Sequence, residues 1–236
     1  MKANFVTLYL LKAIAKLIRP SYRFDWSSFD WHSDVVFNEY LASFNESEGF
    51  NTQRRWMVGQ LLRMVSAVPG DTAECGVFAG AGSLLVCRAN KSSKLQKTHH
   101  VFDSFEGLSK PDKLHDGSHW KKGDLSVALE LVKARLKDFD VEYHKGWIPT
   151  RFDNIADRRF SFVHIDVDLF EPTRDSVEFF YSRMSSGGIM LFDDYGFVTC
   201  PGATRAIDIF FKDKVEKPVS LSSGGAFIVK DTVVDS

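Results

Sequence analysis

Between residues 71 and 230 short apolar runs alternate with amphipathic helical stretches, and this alternation constrains the fold more than any other feature of the chain. The strand-like runs are TAECGV, HHVFDSF, VEYHKGW, FSFVHIDVD and GIMLFDDYG, followed by two shorter ones, PVSL and GAFIVK. The helical stretches among them are GSLLVCRAN, DLSVALELVKARLKDF, PTRDSVEFFYSRM and GATRAIDIFFKD. Strands separated by helices need crossover connections, and crossovers build a mostly parallel sheet with helices on both faces. The last two runs are joined by Ser222-Ser223-Gly224-Gly225, which makes them an antiparallel hairpin. The expected fold is α/β, with seven strands, mostly parallel, and an antiparallel hairpin at the carboxyl end. Ligands of such sheets bind beyond the carboxyl ends of the strands, so the residues there carry the functional reading.

The 236 residues suit one such domain, taken as 51–236, preceded by an N-terminal segment, 1–50. The formal net charge of −1 shows no basic excess and argues against nucleic acid as a partner. The 21 phenylalanines imply an aromatic core. Three cysteines, Cys75, Cys87 and Cys200, without paired spacing fit a reducing, cytoplasmic compartment. The absence of a CxxC pair argues against a structural zinc site. A basic amphipathic helix is expected within residues 1–20, with Leu10, Ile14, Leu17 and Ile18 on one side and Lys12, Lys16 and Arg19 on another. It either packs on the domain or a partner subunit, or lies peripherally on a membrane. Residues 21–50, with Tyr22, Phe24, Trp26, Phe29 and Trp31, read as an irregular wrapping segment or dimer contact. Residues 52–67 read as a helix.

At the first strand end stand Glu74, Gly76, Gly80 and Gly82. Glycines permit a tight strand-to-helix turn and close backbone approach to a ligand. No Lys-Ser/Thr follows, so the turn is not a triphosphate loop. No tyrosine has Lys four residues later, which weakens a dehydrogenase reading. Asp103 ends the second strand, where a carboxylate can accept from two ribose hydroxyls; the alternative is a turn cap within DSFEG. Together the turn and this acid indicate a nucleoside-containing cofactor. The fourth strand ends in Asp166 and Asp168, the fifth in Asp193 and Asp194. If those strands are neighbours, four carboxylates converge, and either some stay protonated or a cation sits among them. All-oxygen donors favour a hard divalent ion, Mg²⁺ first. His164-Ile165-Asp166 also matches the H-x-D of non-haem iron oxygenases, but all seven histidines lie at or before 164 and the distal ligand is missing. His164 reads as a buried strand residue. The polar loop over 106–123, with His115, His119 and Trp120, reads either as part of an acceptor lid or as a plain surface loop, and Trp147 either as an adenine contact or as core.

ECGVFAGAGS, VFDSFEGL, HIDVDLFEPTRDSVEFFY and GGIMLFDDYG together resemble the macrocin O-methyltransferase (TylF/MycF/NovP-type) family, over roughly residues 50–212. The resemblance implies a Rossmann-like class I S-adenosylmethionine-dependent methyltransferase fold and Mg²⁺-dependent methyl transfer to a sugar hydroxyl of a small-molecule or glycan acceptor. It implies that Glu74, Gly76, Phe78, Gly80 and Ser83 line the cofactor and that Asp103 binds its ribose with Ser104 beside it. It implies that Asp166, Asp193 and Asp194 hold the metal and that Asp168 is the general base or orients the acceptor, a loop histidine being the other candidate base. A homo-oligomer is expected on the same ground. The family's turn often carries a basic residue; here Val77-Phe78-Ala79-Gly80 has none. The competing readings are a catechol or phenolic acceptor, and a domain that binds the cofactor without turnover.

Overall fold

A computed structural model describes residues 5–21, 31, 33–48 and 51–231. The chain divides into two compact units, Met1–Glu48 and Gly49–Ser236. The first holds α1 (Phe5–Ile18) and α2 (Val35–Ser43). Leu10, Ile14, Leu17 and Ile18 of α1 are all exposed. Among the described residues no helix is long and apolar enough to cross a membrane. Part of the segment expected to be irregular is helical: Asp34 caps α2, its Oδ1 accepting from the Phe37 amide at 2.9 Å. Phe37, Tyr40 and Leu41 then recur at helical spacing and are buried. Tyr22, Phe24, Trp26 and Phe29 lie outside the described residues.

The second unit runs α3 (Asn51–Met64), β1 (Asp71–Cys75), α4 (Ala81–Ser92), β2 (His99–Asp103), α5 (Leu129–Leu136) and β3 (Val141–Lys145). It continues with β4 (Phe160–Ile165), α6 (Phe170–Tyr181), β5 (Met184–Phe192), α7 (Pro201–Phe211), β6 (Val219–Ser220) and β7 (Ala226–Val229). The sheet order is β3-β2-β1-β4-β5-β7-β6. The first five strands pair in parallel, and β7 is antiparallel to both β5 and β6. The seven strands and the antiparallel hairpin are those the alternation implies.

Every residue of β4 is buried, as a central strand covered on both faces requires. On one face Phe162, Ile189 and Leu191 pack with Val58, Leu61 and Leu62 of α3 and Val86 of α4. On the other, Val163, Ile165, Met190 and Phe192 pack with Val177 and Phe180 of α6 and Ile207 and Phe211 of α7. Phe180 is the hub of the aromatic core, meeting Phe102 and Phe160 edge to face with centroids 5.9 and 5.1 Å away.

Two elements differ from expectation. The helix read over 124–139 occupies only Leu129–Leu136. Leu125 takes a left-handed conformation (φ 61) and Ala128 is extended, so the preceding turn cannot be helical. β5 starts four residues before Gly188, at Met184, and accommodates Gly187 at φ 78 within the strand.

Candidate active site

β1 delivers the glycine turn. Gly76 has φ 80, and a side chain there would collide with the Asp166 carbonyl oxygen. The turn therefore lies directly against the end of β4. Gly80, at φ 84, is the N-cap of α4. Asp103, ending β2, accepts from the Val77 and Phe78 amides through Oδ2 (2.8 and 3.3 Å) and from Phe105 through Oδ1 (2.6 Å). It is a turn cap, and it caps the very loop that would receive a cofactor. It stays half-buried, and Oδ1, with one of its two lone pairs engaged, retains acceptor capacity for a hydroxyl. Phe78 is 48% exposed above the turn. Arg135 of α5 donates to the Ala79 carbonyl at 2.6 Å, so a basic residue fastens this turn from outside it.

Glu74 and Ser83 are placed differently from the expectation that they line the cofactor. Both are buried, at 2% and 0% exposure, and they face each other beneath the turn, with the Ser83 hydroxyl donating to Glu74 Oε2. Glu74 Oε1 is 2.7 Å from Nδ1 of His164, its register partner on β4. His164 Nε2 in turn lies 3.3 Å from Asp193 Oδ1. His164 is buried, as read from the sequence, and it joins the acid under the turn to an acid at the tip of β5. Ser104 is spent on its own turn, donating to the Gly107 carbonyl and accepting from the Glu106 amide. Trp147 is half-buried just beyond β3.

β4 and β5 are neighbours, so Asp166, Asp168, Asp193 and Asp194 converge. Asp168, Asp193 and Asp194 are buried, and Asp166 is partly open. Asp194 Oδ2 accepts from the Asp168 amide at 2.8 Å, and Asp168 sits at φ 60, a strained conformation for a residue with a side chain. Burial, then the neighbouring Asp166, raises the Asp168 pKa to about 7. Burial, then Asp168 and Asp166, raises Asp194 well above the usual carboxylate range. A positive group would relieve both. One is present: Arg54 of α3 is paired with Asp193, and its Nη2 is 3.9 Å from both Asp166 and Asp194. The guanidinium also lies over the Phe197 ring, 4.9 Å from its centroid. Arg54 supplies one positive charge to four carboxylates, which leaves a donor set still suited to a divalent ion.

The 106–123 loop reaches this cluster. Trp120 Nε1 donates to Cys200 Sγ at 3.4 Å, and Cys200 lies 3.3 Å from Asp168 Oδ1. Buried Asp116 accepts from the Phe170 amide at 2.7 Å, and His115 stacks on the Phe170 ring. His119 is exposed. The loop is thus pinned to the starts of α6 and α7 rather than lying free on the surface.

A family model described as macrocin-O-methyltransferase (TylF) matches residues 57–227. The chain belongs to this family. It is an S-adenosylmethionine-dependent O-methyltransferase. Among curated relatives, an 8-demethyl-8-(2,3-dimethoxy-alpha-L-rhamnosyl)-tetracenomycin-C 4'-O-methyltransferase of Streptomyces olivaceus is 29% identical over 189 residues, 73% of this chain and 70% of that one. A demethyldecarbamoylnovobiocin O-methyltransferase of Streptomyces niveus is 29% identical over 213 residues, 80% of this chain and 78% of the other. Among solved structures, the O-methyltransferase NovP matches 96% of this chain and 99% of its own, with TM-score 0.61 and 24% identity, a likeness of fold.

Sequence reasoning missed Arg54 and Cys200 as members of this site. Arg54 sits in a helix more than a hundred residues from the acids, and no local pattern in TQRRWM marks it. Cys200 was legible only as an unpaired cysteine.

Proposed function

We propose that this methyltransferase is Mg²⁺-dependent and acts on a sugar hydroxyl that has a second hydroxyl beside it. The observation that carries the reading is the convergence of four carboxylates on the tips of β4 and β5, next to the glycine turn. The four carboxylates supply the oxygen donors that Mg²⁺ takes, with the His164 imidazole and the Cys200 thiol lying against the same acids. The sugar named in the Streptomyces olivaceus relative's description supports a glycosidic acceptor.

The donor carries its methyl on a sulfonium and the ion lowers the pKa of a hydroxyl it binds, so the protein has to orient the acceptor and take its proton. Asp166, Asp193 and Asp194 would hold the ion. Asp168 would accept the hydroxyl proton on a carboxylate oxygen as the C–O bond forms. Its position is fixed by the Asp194–amide hydrogen bond and by Cys200, which Trp120 holds from the loop. Glu74, Ser83 and His164 position rather than touch: they brace the turn against the acid cluster. Gly76, Gly80 and Phe78 would present backbone and ring to the donor, with Asp103 accepting from its ribose, Ser104 keeping the adjoining turn closed and Trp147 beside the adenine.

The test is transfer of isotopically labelled methyl from S-adenosylmethionine to a panel of glycosides and catechols. Metal-stripped enzyme should be inactive, Mg²⁺ should restore transfer, and glycosides with adjacent hydroxyls should be the preferred acceptors. Full turnover after verified stripping would remove the metal from the reading. Exclusive methylation of catechols would remove the sugar.

A further inference from the structure

We propose that His100, His144 and Glu142 form a second metal site, for a borderline divalent ion with Zn²⁺ foremost, on the β2–β3 edge of the sheet and remote from the catalytic acids in the strand order. β3 is the edge strand, and Glu142 is the register partner of His100 across the β2–β3 pair. His100 Nδ1 is 3.2 Å from His144 Nε2 and 3.4 Å from Glu142 Oε2, and the remaining separation, His144 Nε2 to Glu142 Oε2, is 3.9 Å. Tetrahedral ligands at 2.0–2.1 Å from zinc stand about 3.3–3.4 Å apart, so two of the three edges already match and the third closes with a small rotation of the half-exposed glutamate. Each of the three offers one ligand atom, and these atoms lie within 4.8 Å of one another.

The hydrogen bonds of the cluster turn a His100 lone pair toward its two neighbours. His100 Nε2 is 3.3 Å from Asp71 Oδ2, and its N–H belongs there, because Asp71 is an acceptor. That leaves Nδ1 as a lone pair. His144 can donate to it, but the Glu142 oxygen then faces a second acceptor at 3.4 Å. An ion between them turns that repulsion into coordination. The same arrangement supplies the outer partner that metal-bound imidazoles commonly have: Asp71 orients His100 and is itself held by the Thr98 amide at 3.0 Å, with Arg158 3.6 Å away. The surroundings are apolar, with Phe102 stacked on His144 and Phe160 edge-on to His100. Glu142 keeps half its side chain in solvent, which leaves an entry path and room for a water as fourth ligand. The set contains no thiolate, so it does not depend on a CxxC pair. Such an ion would clamp the edge strand to β2 and, through Asp71, to the start of β1.

The full-length chain, chelator-stripped, is titrated with Co²⁺ and followed by its visible ligand-field absorption, then back-titrated with Zn²⁺. The Asp193→Asn/Asp194→Asn protein is run in parallel to silence the catalytic acids, and Glu142→Gln to remove one proposed ligand at an exposed, near-isosteric position. One Co²⁺ per chain should give an intense four-coordinate spectrum in both wild type and the double Asn protein, displaced by one Zn²⁺ and not by excess Mg²⁺. Glu142→Gln should weaken binding at least tenfold. Absence of the spectrum in the wild type, its loss in the double Asn protein, or unchanged affinity in Glu142→Gln would each overturn the assignment.

Discussion

The acidic cluster at the tips of β4 and β5 and the imidazole cluster on β2 and β3 occupy one sheet and solve different problems. The first gathers four carboxylates, three of them buried, around a single guanidinium, and two of those acids are pushed toward neutrality. The second gathers two buried rings and one exposed carboxylate, with a further acid behind the first ring. The acidic cluster lies beside a glycine turn and beneath an anchored loop, where a reacting molecule can be covered. The imidazole cluster lies against phenylalanines at the sheet edge, where there is strand pairing to secure. A high density of carboxylate charge suits chemistry on oxygen. Neutral donors with a rigid outer partner suit holding.

The largest effect that separates the two should come from Asp168→Asn. Loss of the base should lower kcat by about 10²–10⁴-fold in steady-state assays, while Co²⁺ binding at the imidazole cluster stays as in the wild type. A smaller effect is expected from Arg54→Met. Removing the resident cation should tighten Mg²⁺ binding by roughly tenfold in calorimetry, through lost like-charge repulsion. Weaker binding would instead make Arg54 a support for Asp193.

A third imidazole, His99, belongs to neither cluster and serves as the reference. Burial holds its pKa at about 4, below the ordinary value of 6.5, and its ring nitrogens meet the Thr72 and Ser83 hydroxyls. The folded protein therefore binds fewer protons here than the unfolded chain between those pH values. Stability should fall as pH drops from about 6.5 toward 4 and this contribution should then level off, a loss of up to about 3 kcal/mol. Denaturant midpoints at pH 7, 5.5 and 4, compared with His99→Asn, would isolate it. The smallest effect should be that of Glu142→Gln on the metal-stripped protein, within about 0.5 kcal/mol by the same denaturation. A larger loss would mean that Glu142 holds β3 without any ion.

The alternation of apolar runs and helices made the sheet legible, because a strand buried on both faces is mostly apolar, as β4 is apart from Ser161 and His164. The acids were legible for the complementary reason: DVD and DDY follow directly on the apolar ends of β4 and β5. What stayed hidden depends on pairing across the sheet. Glu74 and His164 are ninety residues apart and become neighbours through the β1–β4 register. Glu74 therefore read as a cofactor residue when the fold buries it. Asp103 read as a ribose acid or as a turn cap, two uses that one carboxylate's lone pairs can serve together. The loop's attachment through Trp120 and Cys200 left no local mark at all.

Gly82 shows how far such pairing reaches. A methyl group there would strike Glu74 Oε1 and come within 3.1 Å of His164 Nδ1. The missing side chain is a mould for the carboxylate packed under it. Across descendants of this chain the two positions should mutate in step: alanine at 82 becomes tolerable only where 74 has lost its acid, and an aligned set of sequences should record that as covariation between a helix start and the strand before it.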